Sequence, residues 1–151
     1  MPVSVRNLAH GDHAGWLPLW RGYNAFYGRE GVTALPAEVT AMTWSRFFDA
    51  HEPMHALVAE ADGQLLGLVH YLFHRSTIRI EPSCYLQDLY TVPAARGSGI
   101  GHALIEAVYE RAGAAGCSRV YWQTHESNAT AMALYGKLAE RSGFVVYRHE
   151  L

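Results

Sequence analysis

Arg96, Gly97, Ser98, Gly99, Ile100 and Gly101 lie between a strand-like run and a helical one, and the chemistry that this placement offers is anion binding. Ile100, Ala103, Leu104, Ala107 and Val108 recur at helical spacing, so the glycines stand where the helix begins. The first N–H groups of a helix lack partners within it, and glycine lets a ligand approach them with no Cβ in the way. The expected anion is a phosphate. Two nucleotide motifs fail against the letters. No Lys-Ser or Lys-Thr follows the last glycine, as an ATP-type phosphate loop requires. The dinucleotide fingerprint needs Gly-x-Gly-x-x-Gly with an acidic residue about twenty positions on. Here the spacing is Gly97-x-Gly99-x-Gly101, and Arg119 stands near the acidic position.

A third pattern, Arg-x-x-Gly-x-Gly after a strand ending in Leu-x-hydrophobic-x-Pro, is matched by Arg96, Gly99 and Gly101 with Leu89 and Pro93 in front, Thr91 standing at the hydrophobic position where Val is commoner. A second, Asn-x-x-Ala-x-x-Leu-Tyr-x-x-x-Gly-Phe, is met by Asn128, Ala131, Leu134, Tyr135, Gly143 and Phe144, with four extra residues before Gly143. With these two signatures the chain resembles the GCN5-related N-acetyltransferase (GNAT) family along nearly its whole length. Trp122, Thr124, His125 and the ending Gly143-Phe144-x-x-Tyr147 look most like the small yeast-type histone, polyamine and D-amino-acid acetyltransferases.

The resemblance implies acetyl-CoA as co-substrate and direct attack on it by a primary amine, with free amino acids or polyamines ahead of protein lysines. It assigns Arg96, Gly97, Ser98, Gly99, Ile100, Gly101 and His102 to the pyrophosphate, Leu89, Tyr90 and Thr91 to main-chain contacts with the pantetheine arm, and Asn128 to the same cofactor site. The Thr91 N–H is implied as donor to the thioester carbonyl, whose oxygen gains negative charge under attack. Tyr135 matches the family's general acid, and it suits the role: a phenol with a pKa near 10 is protonated at neutral pH, against about 8.5 for the departing thiol. Many members carry a Glu as base where this chain has Gln87, and Gln takes up no proton at neutral pH. Strand alternation turns the neighbouring Asp88 to the opposite face. Glu126, His125, His74 or a water held by Gln87 are then the alternatives. Because of Gln87 a second reading stands beside the enzyme: a non-catalytic acyl-CoA-binding module or sensor.

These groups need a scaffold, and the sequence offers one. Its 151 residues, 50% hydrophobic and 17% charged, suit a single domain over 1–151 with a full core. A net charge of -2 gives no general pull toward nucleic acid or acidic membranes. No run approaches the eighteen or so apolar residues of a membrane span, and the start has no apolar signal core, so the protein is expected in the cytoplasm. Cys84 and Cys117 read as reduced thiols, and no carboxylate or thiolate completes a metal motif around His51 and His55. The expected partners are a small-molecule amine and, as one option, a second copy of the chain in a homodimer, with no nucleic acid and no membrane.

The elements follow from periodicity. Residues 3–5 alternate as a short strand, and Asp12 suits the N-cap of a helix on which Trp16, Leu19, Trp20, Tyr23, Phe26 and Tyr27 form one aromatic face. Most of that face is expected in the core; Tyr23, Phe26 and Tyr27 at its end, with Gln87 and His125, are the candidates for the acceptor pocket. After Gly28 and Gly31 a second helix begins near Pro36 and runs to about Ala50. Residues 55–60 and 65–74 read as a hairpin across the turn 61–64, and 85–92 as the next strand. A helix over 99–113, a strand over 119–124, a helix carrying Ala131 to Leu138 and a last strand over 144–148 complete the chain. The expected class is α/β (α+β): a mixed central sheet of about six to seven strands flanked by four helices, with a parallel pair around the helix 99–113.

Overall fold

A hairpin at the middle of the sheet sets its register. In the computed structural model, which describes residues 2–151, β2 (Met54–Ala61) and β3 (Gln64–His74) are joined through Asp62 and Gly63, with φ of 50° and 75°. Positive φ at both central residues matches the right-handed twist of the flanking strands, which is why Asp-Gly stands there. β1 (Ser4–Asn7) pairs antiparallel with β2, and β4 (Ser83–Thr91) antiparallel with β3. β5 (Arg119–Tyr121) lies parallel to β4, the link between them being α3 (Ile100–Ala114). The strand order is β1-β2-β3-β4-β5. α1 (His13–Phe26), α2 (Ala37–Arg46) and α4 (Ala129–Tyr135) complete the elements.

The sheet is covered on both faces, which explains the almost unbroken apolar run of β3. Leu57, Val69, Cys84 and Leu86 pack with Ile100, Leu104, Ile105 and Val108 of α3. Val58 and Leu68 pack on the other face with Trp16, Leu19 and Trp20 of α1. Here the indoles gather: Trp16 stacks on Trp20 at 5.8 Å and meets Trp44 of α2 at 5.1 Å. Gly67 of β3 is small for a reason. A Cβ there would come within 2.9 Å of Ile100 Cγ2 and 3.0 Å of the Tyr90 carbonyl oxygen, so glycine allows α3 to approach the sheet. Arg6 ties the N-terminal parts together, donating to Asp12 at 2.7 Å and to Glu60 at 2.6 Å. The Asp12 carboxylate thus serves Arg6 and the Ala9 N–H rather than capping α1 through its side chain.

The sheet departs from expectation at its far edge. It has five strands rather than six to seven, β5 is three residues long, and no strand forms over 144–148. A strand is completed by a neighbour's main-chain groups, and residues 140–151 meet none among the described residues; every one of them is exposed. α4 ends at Tyr135, Leu138 is the last side chain packed against the core, and Gly143, at φ 85°, turns the chain outward.

Candidate functional site

After β4, a turn at Pro93–Ala95 leads into the glycine loop, where Gly97 and Gly99 have φ of 79° and 88°. These left-handed conformations suit glycine and strain residues with a side chain. They leave six consecutive N–H groups, those of residues 97–102, without a main-chain or side-chain acceptor among the described residues; the first to find one is that of Ala103, on the Gly99 carbonyl at 3.0 Å. A Cβ added at Gly97 or Gly99 would meet nothing within 4 Å, so the surface above the loop is open. Arg96 acts as a brace: its Nε donates to the Thr91 carbonyl at 3.1 Å, and its guanidinium lies 5.6 Å from the Tyr90 ring. Ser98 Oγ donates back to the Ala95 carbonyl, and His102 lies 3.4 Å from Glu106 one turn along α3.

The strand before the loop carries a second set of unpaired groups. β4 and β5 pair only from Ser83↔Arg119 to Tyr85↔Tyr121, so residues 86–91 have no strand neighbour on that side among the described residues. The Val92 N–H donates toward β3, to the Leu66 carbonyl at 2.9 Å. Main-chain groups alternate in direction along a strand, so those of Leu89 and Thr91 point into the gap, where the Thr91 carbonyl is taken by Arg96 and the Thr91 N–H stays open. Tyr90 does not share that exposure: its carbonyl faces β3 beside Gly67, and its ring packs toward α1. A ligand with a phosphate at one end and an amide-bearing arm at the other finds anion donors at the loop and a strand edge beside them, which fits the expected co-substrate.

α4 closes the far wall of the gap. Asn128 is its N-cap, accepting from the Ala131 N–H at 3.4 Å, and Leu134 lies over Gly101, 3.3 Å from where a Cβ would stand. Tyr109 of α3 donates to the Leu138 carbonyl at 2.9 Å and fixes the end of this segment. Tyr135 meets Trp122 edge-on at 5.4 Å and is partly buried. Burial, and after it the neighbouring Tyr27, push its hydroxyl pKa up, so it keeps its proton.

The β4 register slips between His70 and Tyr71: Asp88 opposes His70 and Leu86 opposes Tyr71, which leaves Gln87 as the extra residue of a bulge. Before the bulge Cys84 and Leu86 face α3; after it Asp88 and Tyr90 face α1. Asp88 therefore lies on the α1 face and not on the face where unbroken strand alternation would put it. Asp88 accepts at 2.9 Å from His70 Nδ1, while Trp16 Nε1 donates to His70 Nε2 at 3.1 Å. Indole is only a donor, so it fixes the His70 proton on Nδ1. Asp88 keeps 12% of its side-chain surface open. Tyr23 lies beside it, stacked on Trp20 at 5.6 Å; burial and the Asp88 charge raise its hydroxyl pKa. The signal for this array was present in the sequence as one histidine inside an otherwise apolar strand.

The remaining candidates divide. Gln87 is exposed at the bulge. Phe26 and Tyr27 lie exposed at the end of α1, with Arg96 6.0 Å from the Phe26 ring and Arg29 5.5 Å from the Tyr27 ring, so the end of α1 borders the loop. His125 is engaged with Ser127 Oγ at 2.6 Å in the exposed turn before α4. His74 is drawn to Tyr121 at 2.7 Å and pairs with Ser83, four residues from Gln87 and about 13 Å along the strand. That distance removes it as a direct base beside the gap.

Comparison with known proteins bears on this geometry. The profile of the Acetyltransferase (GNAT) family matches residues 16–139. The chain is 34% identical over 148 residues to the D-amino-acid N-acetyltransferase HPA3 of Saccharomyces cerevisiae, covering 97% of this chain and 89% of that protein. It is 33% identical over 111 residues to the thialysine N-epsilon-acetyltransferase of Mus musculus, 64% of each chain. Among solved structures, AAC(6')-Iy in complex with a CoA bisubstrate analog superposes with a TM-score of 0.84 at 17% identity, over 100% of this chain and 99% of that one.

Proposed function

Since the chain belongs to the Acetyltransferase (GNAT) family, we propose that it holds acetyl-CoA along the open edge of β4 and transfers the acetyl group to the primary amine of a small molecule, with amino acids and polyamines ahead of protein lysines. The observation that carries this reading is the meeting of two unpaired donor sets: the N–H groups of residues 97–102 and the free edge of β4 at Leu89 and Thr91. The loop binds the pyrophosphate, aided by the N-terminal dipole of α3. Leu89 and Thr91 orient the pantetheine amides through their main chain, and the Thr91 N–H stabilises the carbonyl oxygen as it gains charge. Bound acetyl-CoA supplies the activated acyl group; the chain supplies position and proton transfer. Tyr135 donates a proton to the departing thiolate sulfur.

Asp88 is the proton acceptor for the attacking amine, directly or through one water at its open edge. Trp16 and His70 position it from the buried side. Its carboxylate and the rings of Tyr23, Phe26 and Tyr27 favour a cationic amine that loses its proton on arrival. The similarity to a D-amino-acid acetyltransferase supports the small-molecule class.

A panel of D- and L-amino acids, polyamines, aminoglycosides and a lysine peptide, assayed with acetyl-CoA by release of free thiol, tests the reading. Turnover is expected with small amines. Binding of CoA without thiol release on any amine would decide for a binding module or sensor instead.

A further inference from the structure

Arg29 is a firmly anchored cation with no anion beside it among the described residues. It stands just past the end of α1, where its main-chain N–H donates to the Asn24 carbonyl at 2.8 Å and its Nε to Asn24 Oδ1 at 2.6 Å. Asn24 is buried and fixed in turn, its Nδ2 donating to the Trp20 carbonyl at 2.9 Å. The guanidinium is therefore aimed from its root, half-buried, with Cζ 5.8 Å from the Tyr23 ring and 5.5 Å from the Tyr27 ring. Its two terminal nitrogens have no acceptor among the described residues, and no carboxylate there lies within ion-pair distance. Arg6, by contrast, is engaged by two carboxylates. A planar fork with both terminal groups unused, on a side chain already ordered, suits a carboxylate held by two hydrogen bonds.

The place of the fork decides what it can read. Tyr23 links it to Asp88: burial raises the Tyr23 hydroxyl pKa, the Asp88 charge raises it further, and the Arg29 charge pulls the other way. Tyr27, against the same guanidinium, neighbours Tyr135 across the gap. An anion and a cation thus flank two tyrosines where the acceptor has to enter.

We propose that Arg29 is a specificity residue that binds the carboxylate of the acceptor, and that the acceptor is a free amino acid whose amine is thereby directed to Asp88. This rests on the acetyl-transfer reading above and narrows it. A zwitterion carries two charges complementary to the Asp88 and Arg29 pair. A polyamine would set a second ammonium against Arg29, where like charges repel, and a protein lysine would leave the fork without a partner. If Arg29 merely fastened the end of α1 through Asn24, its loss would lower stability and act on every acceptor alike.

Kinetics with free amino acids and with their amides, which lack only the carboxylate charge, test this. The readout is the ratio of kcat/KM for each acid to that for its amide. The amine of the amide is the less basic of the two and gives up its proton more easily, so a preference for the acid has to come from binding. Wild type should favour the acid by about 10–100-fold, the range of a charge-assisted pair. In Arg29→Gln the ratio should fall to about one or below, Arg29→Lys should keep part of it, and Arg29→Glu should turn over a diamine better than an amino acid. A wild-type ratio near one, a ratio that Arg29→Gln leaves unchanged, or turnover of polyamines but of no amino acid overturns the proposal. If no amine at all is acetylated, the acetyl-transfer reading falls by itself, and calorimetric titration of the CoA-loaded protein with the same acids and amides still reads the Arg29 subsite. Tighter binding of the acid that is lost in Arg29→Gln upholds it; equal binding of acid and amide overturns it.

Discussion

The proposed acid–base assignment turns on two adjacent residues of β4, and only one of them is where strand alternation puts it. Gln87 occupies the bulge and is exposed; Asp88, one residue on, is held by His70 against α1. Asp88→Asn keeps the shape and a hydrogen-bonding oxygen but removes the charge, so turnover should fall by about 10²–10⁴ with CoA affinity nearly unchanged. Steady-state rates beside CoA titration check it, and wild-type turnover would return the pair to a packing role. Tyr135→Phe removes only the donor, and a loss in the same range, about 10²–10⁴, is expected. Because burial raises the Tyr135 pKa above its ordinary 10.0, wild-type kcat should hold as pH rises to that value and decline beyond it, and this alkaline decline should be missing from the Phe variant. The left-handed turns of the loop were legible in the spacing of Gly97 and Gly99, whereas Thr91 and Tyr135 were singled out through the family resemblance. The Asp88 array was not legible. A bulge costs one register slip that any residue can adopt, and it reverses the facing of every side chain beyond it.

Elements read well where a special conformation demanded a special residue. The Asp62-Gly63 turn and the strand–loop–helix unit of β4 and α3 lie where their residues predict. Packing against a third element left fainter traces. Gly67 looks like any weak point in a strand, yet its lack of a Cβ sets the distance between β3 and α3. Gly67→Ala should therefore destabilise the fold by about 1–3 kcal/mol by crowding Ile100, Leu104 and the Tyr90 carbonyl. Urea denaturation measures this, and an unchanged midpoint with unchanged slope would show that α3 can shift freely. The divergence of β4 from β5 after Tyr85 left no sign in the sequence, because it is a property of two strands and no single residue type requires it.

For the molecule as a whole, Arg6 connects β1, the turn before α1 and β2 through Asp12 and Glu60. Its hydrogen bonds hold the Asp12 carboxyl below its ordinary value of 3.8, and the stabilisation is complete above that value and lost as pH falls through the lower folded-state one. Asp12→Asn should flatten the acid side of a stability-versus-pH curve and lower stability at neutral pH; an unaltered curve would show that Arg6 repairs the loss through Glu60. The strand expected over 144–148 does not form, because β-branched and aromatic composition does not by itself supply a neighbouring edge to pair with. The four tryptophans are divided in a way that gives the molecule separate optical channels. Trp16, Trp20 and Trp44 cluster between α1, α2 and the sheet, whereas Trp122 stands apart from them between Tyr109 and Tyr135. Emission from the cluster should follow global unfolding, and the change on adding CoA should come from Trp122 alone, so that Trp122→Phe leaves a protein whose fluorescence still records melting but no longer senses the ligand.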